Sequence, residues 1–425
     1  MGTPKGTGTL SGARNRRRSI IAAVAAVLAV VAAGAIAYRV LAPAEELTPA
    51  RVAYPSPATR APGVIGALPT APLIVDDRIR VHASPRQVVA DHPVDARTRR
   101  TPYWSYRRWP AQLTGVVAAH TTVVTRWSDG ELVALDARTG RISWRASGPE
   151  PGQGYEGRRT GAVEVYAPSG LHTATTRDGQ AVLVVTGRTE LRGVDLVTGR
   201  ELWRDAVAPS CRRDGLTTTT GQFVSVDVCA SPQMAEFRNV ADGTPVTRWR
   251  PEDAGSKLTV DGLDCGPGRS GCPALRTTSG ESSRGWFPAT GGPVAVPALD
   301  SPEVVLAGEW AIAPGPTELV ARVADTGSPA WRRSDLGPVR ILATQPGRVH
   351  LLSEAGDLIN LDPATGTESS RFPFTQGRRG VTWVPGFAYA AGGFLAVERL
   401  ATPVDPTADD DAYYLHMEPV IFAAS

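Results

Sequence analysis

The stretch 132–145 reads LVALDARTGRISWR, and 190–204 reads ELRGVDLVTGRELWR. Asp136, Thr139, Gly140 and Trp144 of the first correspond to Asp195, Thr198, Gly199 and Trp203 of the second. Weaker copies follow: NVADGTPVTRW at Gly243, FPATGG at Gly291, VADTGSPAW with Gly327 and Trp331, and LDPATG with Asp362 and Gly366. From Gly140 to Gly366 the marker glycines advance by about 45 residues per step, the period of a four-stranded propeller blade. Few constraints on a fold are stronger. A unit of that length cannot bury its own faces, so successive units must stack on one another.

The phrase has a mechanical sense. A strand ending in apolar residues reaches an Asp whose carboxylate can accept hydrogen bonds from the N–H groups of the turn. The Gly then supplies the positive φ that a short hairpin with a bulge requires. The Trp falls four residues further on, where an aromatic ring can bury about 200 Å² between neighbouring blades. Between the copies, β-branched runs such as VVAAHTTVV, AVLVVTG, FVSVDV and VHLLS alternate with Gly, Asp and Pro clusters. No 3.6-residue stripe persists, so the region is expected to be all-β. Catalysis needs one constellation, whereas this Asp and Thr pattern is dispersed around a ring. The repeated residues therefore read as joints.

The phrases ALDARTGRISW and GVDLVTGRELW resemble the repeat of the PQQ-binding-like β-propellers, the family of quinoprotein dehydrogenases and BamB-like assembly propellers. The resemblance implies a PQQ-like β-propeller, directly over about residues 110–375 and by extension over 66–425. The marker turns lead to an expected seven blades, with eight as the alternative. The ring would close by pairing PLIVDDRIRV, at 72–81, with strands from the C-terminal part of the chain. In the family's dehydrogenases the quinone lies between an indole and a disulfide of adjacent cysteines, beside a calcium ion. Here no two cysteines are adjacent, and asparagine occurs only at Asn15, Asn239 and Asn360. No cofactor is therefore expected.

Residues 19–38 form an uncharged run of the length that crosses a bilayer as a helix. Arg14, Arg16, Arg17 and Arg18 precede it, so a transmembrane helix is expected over 19–41, with a basic cytoplasmic tail at 1–18 and the rest outside the cytoplasm. A cleaved signal peptide, with Ala35 and Ala37 at the cleavage site, is the competing reading. Residues 42–65, rich in Ala and Pro, read as a linker to a propeller domain spanning 66–425. Only Lys5 and Lys257 are lysines, and this arginine bias points to a GC-rich, actinobacterial genome. The formal net charge is +3, but Lys5 and the four tail arginines account for it, so the body is slightly acidic and nucleic acid is not an expected partner.

Cys211, Cys229, Cys265 and Cys272 are expected to be oxidised in an exported chain, as Cys211–Cys229 and Cys265–Cys272. Zinc is disfavoured because neither CxxC spacing nor neighbouring histidines accompany them. Two other stretches bear on function. ARTRRTPYWSYRRWP, at 96–110, interleaves Arg97, Arg100, Arg107 and Arg108 with Tyr103, Trp104 and Trp109. It reads either as a ligand or partner surface or as a strap whose aromatics pack inward, and packing is the more economical reading. DPTADDDAY, at 405–413, lacks the Gly and Glu of a calcium loop and reads as a solvated connection. The function expected is a noncatalytic binding or scaffolding module anchored in the cell membrane, with another envelope protein or polymer as partner. A degenerate quinoprotein and a BamB-like envelope assembly factor are the alternatives.

Overall fold

The computed structural model describes residues 2, 23–34, 42–98, 102–152, 160–280, 282–375, 383–403 and 418–425. Eight sheets of hydrogen-bonded strands succeed one another along the chain. Blades 1 to 7 span residues 72–109, 113–147, 171–206, 216–249, 259–295, 305–333 and 339–373. Blade 8 takes Val384–Ala391, Phe394–Leu400 and Val420–Ala424 from the C-terminal part of the chain, and its fourth strand, Gly63–Leu68, from the N-terminal part. Strand Ala44–Thr48 is added at the edge of blade 1.

The strand runs are continuously apolar because both faces of each blade are covered. In blade 3, Leu183 and Val185 pack against blade 2, while Val182 and Val184 on the opposite face pack against blade 4. A strand's period of two thus serves two seams at once. Hydrophobic clusters join blades 1–2, 2–3, 3–4, 4–5, 5–6, 6–7 and 7–8. A further cluster joins Phe394 and Phe422 of blade 8 to Ile74 and Val94 of blade 1, which closes the ring.

Eight blades overturn the expected seven, and the reason is local. Blade 1 has no Asp-x-x-Thr-Gly turn, because residues 92–103 make a longer connection between Gln87–Asp91 and Trp104–Trp109. Counting marker turns therefore skips it. The closing strand is also not 72–81: Pro72–Val75 and Ile79–Ser84 are the first two strands of blade 1, and Gly63–Leu68 pairs with Val420–Ala424. Residues 42–65 accordingly include one strand and the start of another.

The expected transmembrane helix is corrected as well. Helix is found at residues 23–34, about 18 Å at 1.5 Å per residue. Among the described residues no helix is long and apolar enough to cross a membrane. The tail at 1–18, except residue 2, and positions 19–22 and 35–41 lie outside the described residues, as does most of the acidic stretch at 405–413. By contact, Arg108–Pro110 group with the N-terminal residues to Glu45 as a small unit, and the propeller forms the other.

Blade joints and a candidate binding cleft

In the repeated turns the carboxylate is spent on the backbone. Asp195 Oδ1 accepts from Val197 N (3.0 Å), Thr198 N (2.8 Å) and Thr198 Oγ1 (2.9 Å), while Gln180 donates to Oδ2 at 2.8 Å. Partial burial pushes its pKa up, but these donors outweigh that and hold the carboxyl below its ordinary value. Asp362 accepts from Ala364 N at 2.8 Å and Asp136 from Arg138 N at 2.9 Å. Gly140, Gly199, Gly327 and Gly366 have φ of 67°, 74°, 69° and 67°. A one-residue register shift beside each turn marks the bulge.

Each repeat tryptophan points across a seam onto the next blade's turn. Trp144 Nε1 donates to Leu196 O at 3.0 Å, Trp203 to Val240 O at 2.7 Å and Trp331 to Pro363 O at 2.8 Å. Side chains built on Gly199, Gly243 and Gly366 would strike these rings at 2.6, 2.7 and 2.7 Å. Gly199 is thus required twice, for its positive φ and for the approach of Trp144. Asp195→Ala should cost about 1 kcal/mol for the lost turn bonds. Gly199→Val should cost several-fold more, on the order of 3 kcal/mol or above, because strain and a clash add. Urea unfolding midpoints of the two variants check the order.

The aromatic stretch at 96–110 joins this series. Trp104 is fully buried, donates to Ala137 O at 2.9 Å, and abuts Gly140, so it is blade 1's docking tryptophan. Tyr103 is also buried, with its hydroxyl donating to Arg138 O at 2.6 Å. Arg97 and Arg107 are exposed, Arg108 and Trp109 are partly buried, and Arg100 lies outside the described residues. Sequence reasoning missed Trp104's membership because no marker turn precedes it. Blade 4 departs differently: Trp249 falls six residues after Gly243, and its ring meets Trp286 at 4.6 Å between centroids.

Both disulfides are formed, Cys211–Cys229 and Cys265–Cys272. The second closes a loop that hydrogen-bonds beyond its own blade: Cys272 N donates to Thr217 O at 2.7 Å, and Gly268 N to Tyr166 O at 2.9 Å. Tyr166 ends the short helix Ala162–Tyr166, which packs on the first strands of blades 1 and 2. Its ring stacks on Tyr389 of blade 8 at 4.6 Å, and its hydroxyl donates to Pro72 O at 2.9 Å. The helix thus touches blades 1, 2 and 8 and meets a loop of blade 5. Nearby, Glu398 is buried and accepts from Thr160 Oγ1 and from Phe387 N at 3.0 Å. Among the described residues no group of three or more His, Cys, Asp and Glu could hold a metal ion.

A concavity of about 640 Å³ opens where blades 2, 3 and 4 meet. Its floor includes Arg126, buried and donating to the carbonyls of Gly170 (3.0 Å), Pro149 (3.1 Å) and Thr186 (2.7 Å). Burial lowers this guanidinium's pKa to about 10, against the opposing charge of Asp214. Asp214 Oδ1 takes N–H bonds from Gly170 (3.1 Å) and Gly215 (2.9 Å) and faces His172 Nε2 at 3.0 Å, while Oδ2 pairs with Arg269. Burial raises Asp214's pKa, but His172 and Arg269 dominate and hold the carboxyl well below the usual range. Arg188, Arg212 and Arg213 line the rim. The sequence carried no signal for this cleft, because its residues come from six separate segments between 126 and 225.

Residues 60–165 and 101–264 match the family model described as outer membrane protein assembly factor BamB. No curated protein matches the chain. Among solved structures, BamB from Moraxella catarrhalis is similar at 17% identity over 85% of this chain and 99% of that one, with a TM-score of 0.47. A europium-containing methanol dehydrogenase is similar at 13% identity over 89% of this chain and 93% of that one, with a TM-score of 0.42. The family match over residues 60–264 agrees with the four-stranded blades, whose Asp-x-x-Thr-Gly turns at 136–140, 195–199 and 362–366 link the third strand of a blade to its fourth, and the fold is an all-β propeller with PQQ-like repeats.

Proposed function

We propose that this propeller is a noncatalytic binding or scaffolding module working outside the cytoplasm, with another envelope protein as its partner. The observation that carries the reading is that the chain's own helix packs on the first strands of blades 1 and 2, stacks Tyr166 on Tyr389 of blade 8 and meets a loop of blade 5, so the space between these blades is filled by protein. The repeat's acids are consumed by their turns, so they offer no free acid–base pair. Two disulfides favour an oxidising compartment. The family match favours, as a more specific version, an assembly factor that holds its client through loops and seams.

The test has two arms. Titration of the purified chain with PQQ, with and without calcium, is expected to leave the quinone spectrum unchanged and to yield no dye-linked alcohol oxidation. Stoichiometric uptake with turnover would overturn the noncatalytic reading. Crosslinking of intact cells with a membrane-impermeant reagent is expected to give one discrete adduct with an envelope protein. A chain that reacts only after lysis would overturn the extracytoplasmic placement.

A further inference from the structure

We propose that the cleft between blades 3 and 4 is an acceptor site for an acidic segment of a partner protein, one carrying Asp or Glu beside an aliphatic or aromatic residue. The inference rests on the reading of the propeller as a binding module and specifies what it binds. Its first support is uncompensated charge. Arg188 is exposed and its side chain makes no contact with a carboxylate among the described residues. Among the described residues the Arg213 guanidinium bonds the carbonyl of Leu258, at 3.3 Å, and no carboxylate. Arg126 is buried among carbonyls, and its Nε has no acceptor. The single acid in the lining, Asp214, already accepts from two backbone N–H groups and pairs with His172 and Arg269, so its one charge is shared among several cations and leaves the cleft net positive.

The second support is the chemistry of the remaining wall. Val207 and Pro209 give the cleft accessible apolar surface, with Leu191 and Phe223 buried behind them. A free phosphate would satisfy the arginines and leave that surface wet. A carboxylate with an apolar neighbour in the same chain fills both, and the planar fork of arginine matches a carboxylate in bidentate fashion. Burial of the Arg126 charge in a low-dielectric floor strengthens the field felt by such a group.

The experiment is a selection of random dodecamer peptides, displayed on phage, against the immobilised full chain. Fluorescence anisotropy then follows with the best peptide and with its twin in which every Asp and Glu is replaced by Asn and Gln. Acidic residues beside Leu, Ile, Phe or Trp are expected to be enriched. Affinity should fall about tenfold or more for the amide twin, and for the chain carrying Arg188→Gln and Arg213→Gln. Arg188→Gln alone, at an exposed position, preserves folding and should show part of the loss. Selected peptides without acids, or bound equally by the double variant, would overturn the proposal. So would a thermal shift produced by inorganic phosphate alone with no acidic preference among peptides. None of these results would touch the binding-module reading, which stands or falls on the in-cell crosslink.

Discussion

Replacing Trp203 with alanine will lower the stability of the propeller by about 3–5 kcal/mol, the range for removing a large buried aromatic side chain. The ring is 7% exposed, lies opposite Gly193 in its own sheet, abuts Gly243 across the seam, and donates its indole N–H to Val240 O at 2.7 Å. Alanine would leave a cavity with a carbonyl deprived of its donor, and close packing around the turn leaves little room to collapse. The readout is the urea midpoint at an unchanged slope. Trp249→Ala provides the contrast. That ring is partly buried and its N–H donates to nothing among the described residues, so roughly half the loss or less is expected. Equal effects would mean that docking onto the neighbouring turn adds nothing beyond aromatic burial.

Acidification from pH 6.5 to 4 will remove about 3 kcal/mol of stability through His350 alone. This ring is fully buried in blade 7: Nδ1 faces Asn360 Oδ1 at 2.6 Å and Nε2 faces Gln345 Nε2 at 2.8 Å. Gln345 is itself fixed, its Oε1 accepting from Gly393 N at 3.0 Å, so its amide N–H donates to the imidazole. A proton on Nε2 would set two donors against each other. Burial pushes the pKa down to about 4, the Asn360 hydrogen bond opposes this, and the Arg348 charge adds to it. Because the folded value lies below the unfolded one, the unfolded chain binds the extra proton first. The contribution is therefore complete above pH 6.5 and lost as pH falls toward 4. His350→Gln should flatten this part of the stability–pH curve. An unchanged slope in the variant would show that the imidazole is not the titrating group.

What the sequence disclosed follows the range of the interactions involved. The Asp195 turn was legible because its acceptor, its donors and its glycine lie within five consecutive residues. Trp144 and Trp203 were legible as seam residues because they keep a fixed distance from that turn. Blade 1 was not, because residues 92–103 replace the turn and hide Trp104's equivalence to Trp144. The closing strand was misplaced from 63–68 to 72–81 because both are short apolar runs and only pairing with 420–424 separates them. The arginine cleft needed Arg126 of blade 2, Arg188 of blade 3 and Arg213 of the connection into blade 4 to be brought together, and no spacing in one dimension encodes that.

The pairing of Gly63–Leu68 with Val420–Ala424 also sets a temporal order. Gly63–Leu68 is made more than 350 residues before its partner, so through that stretch of elongation it must stay unpaired and shielded from wrong neighbours. Seams between adjacent blades can form as the chain grows, but the join between first and last is a long-range contact with a high loop-closure cost. Synthesis through residue 424 is thereby made a condition of the native ring. A nascent chain stalled before residue 420 keeps an open edge that folding factors and proteases can recognise, so the architecture inspects its own synthesis.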